Sequence, residues 1–233
     1  MEEKRKTVSS AIQWISDVTS LITNHGAWKI LSSTLVLCMC IMMITITLNP
    51  GIIIEKIDQY FTLMEERNRE FRKENDPLIR AELKNVMYEL GANRVSVFEF
   101  HNGKENPASL GFYYADMTYE IIAEGETSIS KQYQDLNLSL LHMSTVLYQN
   151  GYWFGTTDEL YKIDPTLAEL IESNGTKWIA FFLLEGTAEL GILEISFEEV
   201  PPISVQKEVG RSIRRVGAHI ASKLDFKAHY SKS

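Results

Sequence analysis

The sequence predicts an α+β protein in two parts. A transmembrane helix and a helical stalk come first, and an antiparallel sheet covered by helices follows. Three observations carry this. Nineteen residues from Ile30 to Leu48 contain no charge. From Ile54 to Phe71 apolar residues alternate spacings of three and four. The remainder orders a helix, two strands, helices, a hairpin and a last helix.

The charge-free run, ILSSTLVLCMCIMMITITL, would span roughly 28 Å as a helix, close to a bilayer's hydrocarbon core. Ile30, Leu35, Cys38, Cys40, Ile44 and Leu48 mark this expected membrane helix. Trp28 and Lys29 stand where an interfacial aromatic and a snorkelling cation belong. Asn49-Pro50-Gly51 closes the run. Lys4, Arg5, Lys6 and Lys29 precede it, whereas only Lys56 lies in residues 49–66. The positive-inside rule then puts the N-terminus in the cytoplasm and the rest outside. No small-x-small cleavage site follows, so the run reads as an uncleaved signal anchor. Residues 1–29 form the cytoplasmic segment, with Val8, Ile12, Ile15, Val18 and Ile22 on one helical stripe.

Residues 49–77 are the expected stalk. Ile54, Ile57, Phe61, Met64, Asn68 and Phe71 form a heptad seam, and charged residues fill the other faces. The seam fits a homo-oligomer, or a helix packed on its own domain. Asp76-Pro77 is expected to end or bend it.

Residues 78–233 read as one exported α+β domain. Ile79, Leu83, Val86, Met87 and Leu90 make a helical face stopped by Gly91. Arg94 to Phe100 is a strand, with His101-Asn102-Gly103 as its turn. Leu110 to Ile122 is a second strand ending at Glu124-Gly125. Leu136 to Tyr148 carries a helical stripe, and short helices follow around residues 158–161 and 165–171. Lys177 to Leu184 and Leu190 to Phe197 flank Glu185-Gly186-Thr187, a hairpin. Pro201-Pro202 opens a final helix faced by Val205, Val209, Ile213, Val216, Ile220 and Leu224. This order is similar to GAF and PAS-like sensor domains, an antiparallel sheet covered by helices.

Composition narrows the function. Of 233 residues, 23 are Lys or Arg and 31 Asp or Glu, a net charge of -8. No basic run exceeds three residues, so nucleic acid is excluded as a partner. Cys38 and Cys40 are the only cysteines, which excludes a disulfide framework and a cysteine-rich zinc site. No GxSxG, GxxxxGK[ST] or GxGxxG occurs, and none of the five histidines has a metal-ligand spacing. An enzyme is not expected, nor a cofactor or a metal. The nearest polar site is Glu99 with His101, alternate residues that share a strand face. A plain strand end and turn is the simpler reading of that stretch.

Trp28 to Ser32, and Val95 to Glu120 with its aromatic strand, resemble the T-even phage holins. Phe112, Tyr113, Tyr119 and Glu120 follow Val95-Ser96-Val97-Phe98-Glu99-Phe100 in this match. The resemblance implies a protein of the host inner membrane, with a periplasmic domain, that oligomerises and opens lesions releasing an endolysin. It implies the lipid bilayer, a second copy and an antiholin as partners, with Glu99, His101, Phe112, Tyr113, Tyr119 and Glu120 as the candidate pocket or docking surface. No cysteine stands after Cys40, so disulfide control of the outer domain is not implied. The alternative is a membrane-tethered GAF-like sensor or binding module.

Overall fold

The computed structural model describes residues 27–48, 50–105 and 111–230; the side chains of residues 27, 28, 30, 46, 48, 50, 52, 53, 102–105 and 111–113 are outside the description. The expected amphipathic stripe of residues 8–22 therefore lies outside the described residues. The chain divides into two compact units, Met1–Glu66 and Arg67–Ser233.

In the first unit the charge-free run is helical, within α1 (Ala27–Leu48). Its hydroxyls turn back on their own helix: Ser32 donates to the Lys29 carbonyl at 3.0 Å, Thr45 to Ile41 at 2.9 Å and Thr47 to Met43 at 2.8 Å. Leu35 and Ile44 are exposed, as are Cys38 and Cys40. Among the described residues, however, no helix is long and apolar enough to cross a membrane. The expected transmembrane helix is corrected accordingly.

Helix α2 (Pro50–Leu90) opens at once with Pro50, whose missing N–H costs nothing in the first turn. Ile54, Ile57 and Phe61 are exposed along its first part.

In the second unit, α2 runs on through Pro77 instead of ending there. Proline inside a helix costs about 3 kcal/mol. Ile79, Leu83, Val86, Met87 and Leu90 are all buried beyond it, at about 1.5–3 kcal/mol each. Packing overrides the local signal. Phe71 is buried too, against Phe226 at 5.7 Å and His229 at 4.9 Å between ring centroids. The last position of the expected seam thus packs within its own unit.

Six strands form one sheet: β1 (Arg94–Glu105), β2 (Gly111–Ile122), β3 (Leu136–Asn137), β4 (Tyr152–Thr156), β5 (Trp178–Glu185) and β6 (Glu189–Phe197). Their spatial order is β3-β2-β1-β6-β5-β4, and every pair is antiparallel. The turn expected at His101-Asn102-Gly103 is absent, because β1 continues through it and pairs with β2. At the centre Gly191 faces Glu99, where any Cβ would strike the Phe98 carbonyl. Strand β4, YWFGT, is too short to show an alternation, and the sequence predicts no strand there. The helical stripe expected from Leu136 begins later, as α3 (His142–Asn150), after β3 and a 3-10 turn. It stops at Gly151, whose φ of 77° a side chain would disfavour.

One face of the sheet packs on α2 and on α6 (Ile203–Leu224). Val95, Val97, Leu193 and Ile195 meet Leu83, Val209, Ile213 and Ile220 there. The opposite face is covered by α3, by α4 (Thr157–Tyr161) and by α5 (Pro165–Glu172). A short α7 (Phe226–Tyr230) follows α6.

Candidate functional site

The second face holds the site. Alternation along β1 and β6 sends Val95, Val97, Leu193 and Ile195 to the first face and Arg94, Ser96, Glu194 and Ser196 to the second. In register, Ser96 lies between Glu120 on β2 and Glu194 on β6, and Arg94 lies opposite Ser196. Five polar residues therefore meet under a cover of helices.

Beside them is an apolar pocket of about 40 Å³, walled by Phe98, Met143, Leu147, Ile171, Phe181 and Ile192, with Ala115, Tyr133 and Glu194 among its lining. Asp164 fixes the covering helices. Its carboxylate accepts the Leu167 N–H at 3.1 Å, capping α5, and the Met143 N–H at 3.0 Å, in α3. A capping box at Thr156 and Glu159 starts α4.

The polar groups are unequally satisfied. Arg94 Nε donates to Glu120 at 3.0 Å and Nη2 to the Thr127 carbonyl at 2.8 Å, with Glu126 at 3.9 Å. Glu120 also accepts the Ile129 N–H at 3.0 Å and the Ser128 hydroxyl at 2.5 Å. Glu194 is 5% exposed. Burial pushes its carboxyl up to about 7, Arg94 opposes the rise, and Glu120 adds to it. Ser196 lies close enough to favour the ionised form, yet its hydroxyl, like that of Ser96, has hydrogen-bond geometry with none of the described groups. Burial and Glu194 also push the Tyr133 phenol up, while Asn174 donates to its oxygen at 2.8 Å. Buried polar groups of this kind are usually paired with protein, water or ligand.

Of the residues expected from sequence, Tyr119 and Glu120 lie on opposite faces of the sheet. Glu99 and His101 do border a common groove, with Arg72, Leu190 and Phe226. There Glu99 accepts from Arg72 at 2.5 Å and from Thr118 at 2.6 Å. Tyr119 is buried in the first-face core and donates to Asp76. Burial, then that hydrogen bond, pushes its phenol up. Glu120 belongs to the opposite face, with Arg94. The side chains of Phe112 and Tyr113 lie outside the described residues. Sequence reasoning missed Arg94, Ser96, Glu194 and Ser196. The available signal was Glu194 itself, the sole charge within LGILEISF.

Among solved structures, the chain is similar to the GAF domain of PixJ from Thermosynechococcus elongatus in its blue-light-absorbing form. Identity is 13%, the TM-score 0.53, and the match covers 70% of this chain and 93% of that one. A second structure of the cyanobacteriochrome receptor PixJ matches at 12% identity and a TM-score of 0.51, covering 67% and 98%. The fold is GAF-like. At such identities the likeness shows the fold alone. No protein-family model matches the chain, and no curated protein does. The expected holin resemblance is overturned: the structural neighbours are GAF-domain photoreceptors, and the membrane span it required is not found among the described residues.

Proposed function

We propose that the chain is a GAF-like sensor or binding module whose ligand occupies the second-face pocket. The observation that carries this reading is the buried Glu194 carboxyl in the lining of an apolar void, with the Ser96 and Ser196 hydroxyls on the same face and without hydrogen-bond geometry among the described residues. A domain evolved for packing alone would fill such a void and pair such groups. The pocket of about 40 Å³ offers about three water-sized positions at ~10–15 Å³ each. The ligand class is therefore a small molecule of a few heavy atoms, apolar with one polar group. The light-absorbing form named for PixJ does not extend to this chain, since an extended conjugated chromophore exceeds that space.

The test uses isobutanol and propionamide as probes on the full chain. Wild type should gain roughly 3 °C in Tm at ten times Kd. Ala115→Leu, which fills the pocket from β2, should remove the gain. No gain in wild type with either probe, or an equal gain in Ala115→Leu, would overturn the reading.

A further inference from the structure

Away from that pocket, three side chains from separate elements converge at the edge of the sheet. His101 lies on β1, Asp116 on β2, and Asp135 one residue before β3. His101 Nε2 is 3.3 Å from an Asp116 oxygen and 4.0 Å from an Asp135 oxygen. One ligand atom from each residue lies within 4.8 Å of the others. We propose that His101, Asp116 and Asp135 form a binding site for a divalent transition-metal ion of the Zn²⁺ class.

The distances are compatible with a shared ion. Ligands held at ~2.0–2.2 Å around a tetrahedral ion stand about 3.4 Å apart; the 3.3 Å to Asp116 matches this, and the Asp135 carboxylate, at 4.0 Å, would draw in to ligate. His101 Nε2 is screened from solvent and has no partner with hydrogen-bond geometry among the described residues, although Asp116 is within reach. Charge argues the same way. Among the described residues neither Asp116 nor Asp135 pairs with a lysine or arginine; each has an ion-pair contact with His101. Two carboxylates with oxygens within 4.8 Å gain from a cation between them, by less than in the interior because Asp135 is 83% exposed. The two aspartates are already held together: the Asp135 N–H donates to Asp116 Oδ1 at 2.7 Å, with Asp135 at a φ of 54°.

The donor set selects the metal. An imidazole nitrogen with two carboxylates suits a borderline ion such as Zn²⁺, whereas Ca²⁺ takes six to eight oxygens. Three protein ligands leave a position open for water. The site rests on its own geometry and stands or falls independently of the pocket.

The experiment is Zn²⁺ titration by calorimetry on the full chain, with Cys38→Ser and Cys40→Ser in place so that thiolates do not compete. One equivalent should bind, with Ca²⁺ at least tenfold weaker. Asp116→Asn should weaken Zn²⁺ binding tenfold or more. An asparagine oxygen still accepts the Asp135 N–H, so this variant keeps the loop contact while losing the charge. His101→Gln, at a partly exposed position, supplies a second variant, and far-UV circular dichroism checks the fold of both. Absence of one-equivalent binding, binding undiminished in both variants, or Ca²⁺ binding as tightly as Zn²⁺ would overturn the proposal.

Discussion

The two faces of one sheet follow different rules. On the first, Val95, Val97, Leu193 and Ile195 meet α2 and α6 in a cluster whose members are almost all apolar. On the second, the same strands present Arg94, Ser96, Glu194 and Ser196, all 5% exposed or less, and Glu194 lines a void. Burial alone accounts for the first face, since each apolar side chain removed from water stabilises the fold. It does not account for the second, where desolvating a carboxyl and two unpaired hydroxyls opposes folding. The difference teaches that apolar burial accounts for the first face and leaves the second, where the proposed ligand would sit, without that account.

The comparison can be broken most forcefully at Arg94. Arg94→Ala leaves Glu120 buried without its cation and should cost about 3–5 kcal/mol, read as denaturant midpoint at constant slope. Leu193→Ala, on the packed face, should cost about 2–5 kcal/mol through the cavity it leaves. A negligible loss at Arg94 beside a full loss at Leu193 would mean that the polar group is not integral to the second face.

Glu194 sharpens the contrast through pH. Its folded value of about 7 lies above the ordinary ~4.3 of a glutamate. Between those values the folded chain holds a proton that the unfolded chain has lost. Stability from this group is therefore undiminished below about pH 4, falls as pH rises through the window, and levels off above about 7–8. The full swing should be on the order of 3 kcal/mol, of which about 2 kcal/mol falls between pH 5.5 and 8. Glu194→Gln should abolish it, as measured by Tm at pH 5.5 and 8. An unchanged pH dependence in the variant would move the effect elsewhere. The smallest effect belongs to Ser196→Ala, which removes an unpaired hydroxyl and should change stability by less than about 1 kcal/mol, in either direction. A larger loss would reveal a partner for that hydroxyl.

Much of the fold was legible because periodicity reports burial. The hairpin from Trp178 to Phe197, the α6 face of Val209, Ile213, Val216 and Ile220, and the short helices near residues 158 and 165 all showed it. Two kinds of signal misled. Pro77 and His101-Asn102-Gly103 are local breakers, overridden by packing beyond Pro77 and by cross-strand pairing with β2. The charge-free run misled as well: it predicts a membrane span, and among the described residues no helix is long and apolar enough to cross a membrane. The site was hidden for a different reason. In Arg94-Val95-Ser96-Val97, a polar residue at every second position reads as a solvated face, and the same period describes a polar strip beneath helices. Only the sheet order, which places Ser96 between Glu120 and Glu194, separates the two. The histidine and two aspartates of the proposed metal site are far apart in sequence and come together through strand register alone.

The most direct test of the occupied-face account is methyl NMR of the full chain titrated with isobutanol. The account requires saturable shifts at Leu138, Leu147, Ile171 and Ile192, around the pocket, while Val95, Leu193, Ile213 and Ile220 on the opposite face stay in place. Equal shifts on both faces, or none at the pocket methyls, would contradict it.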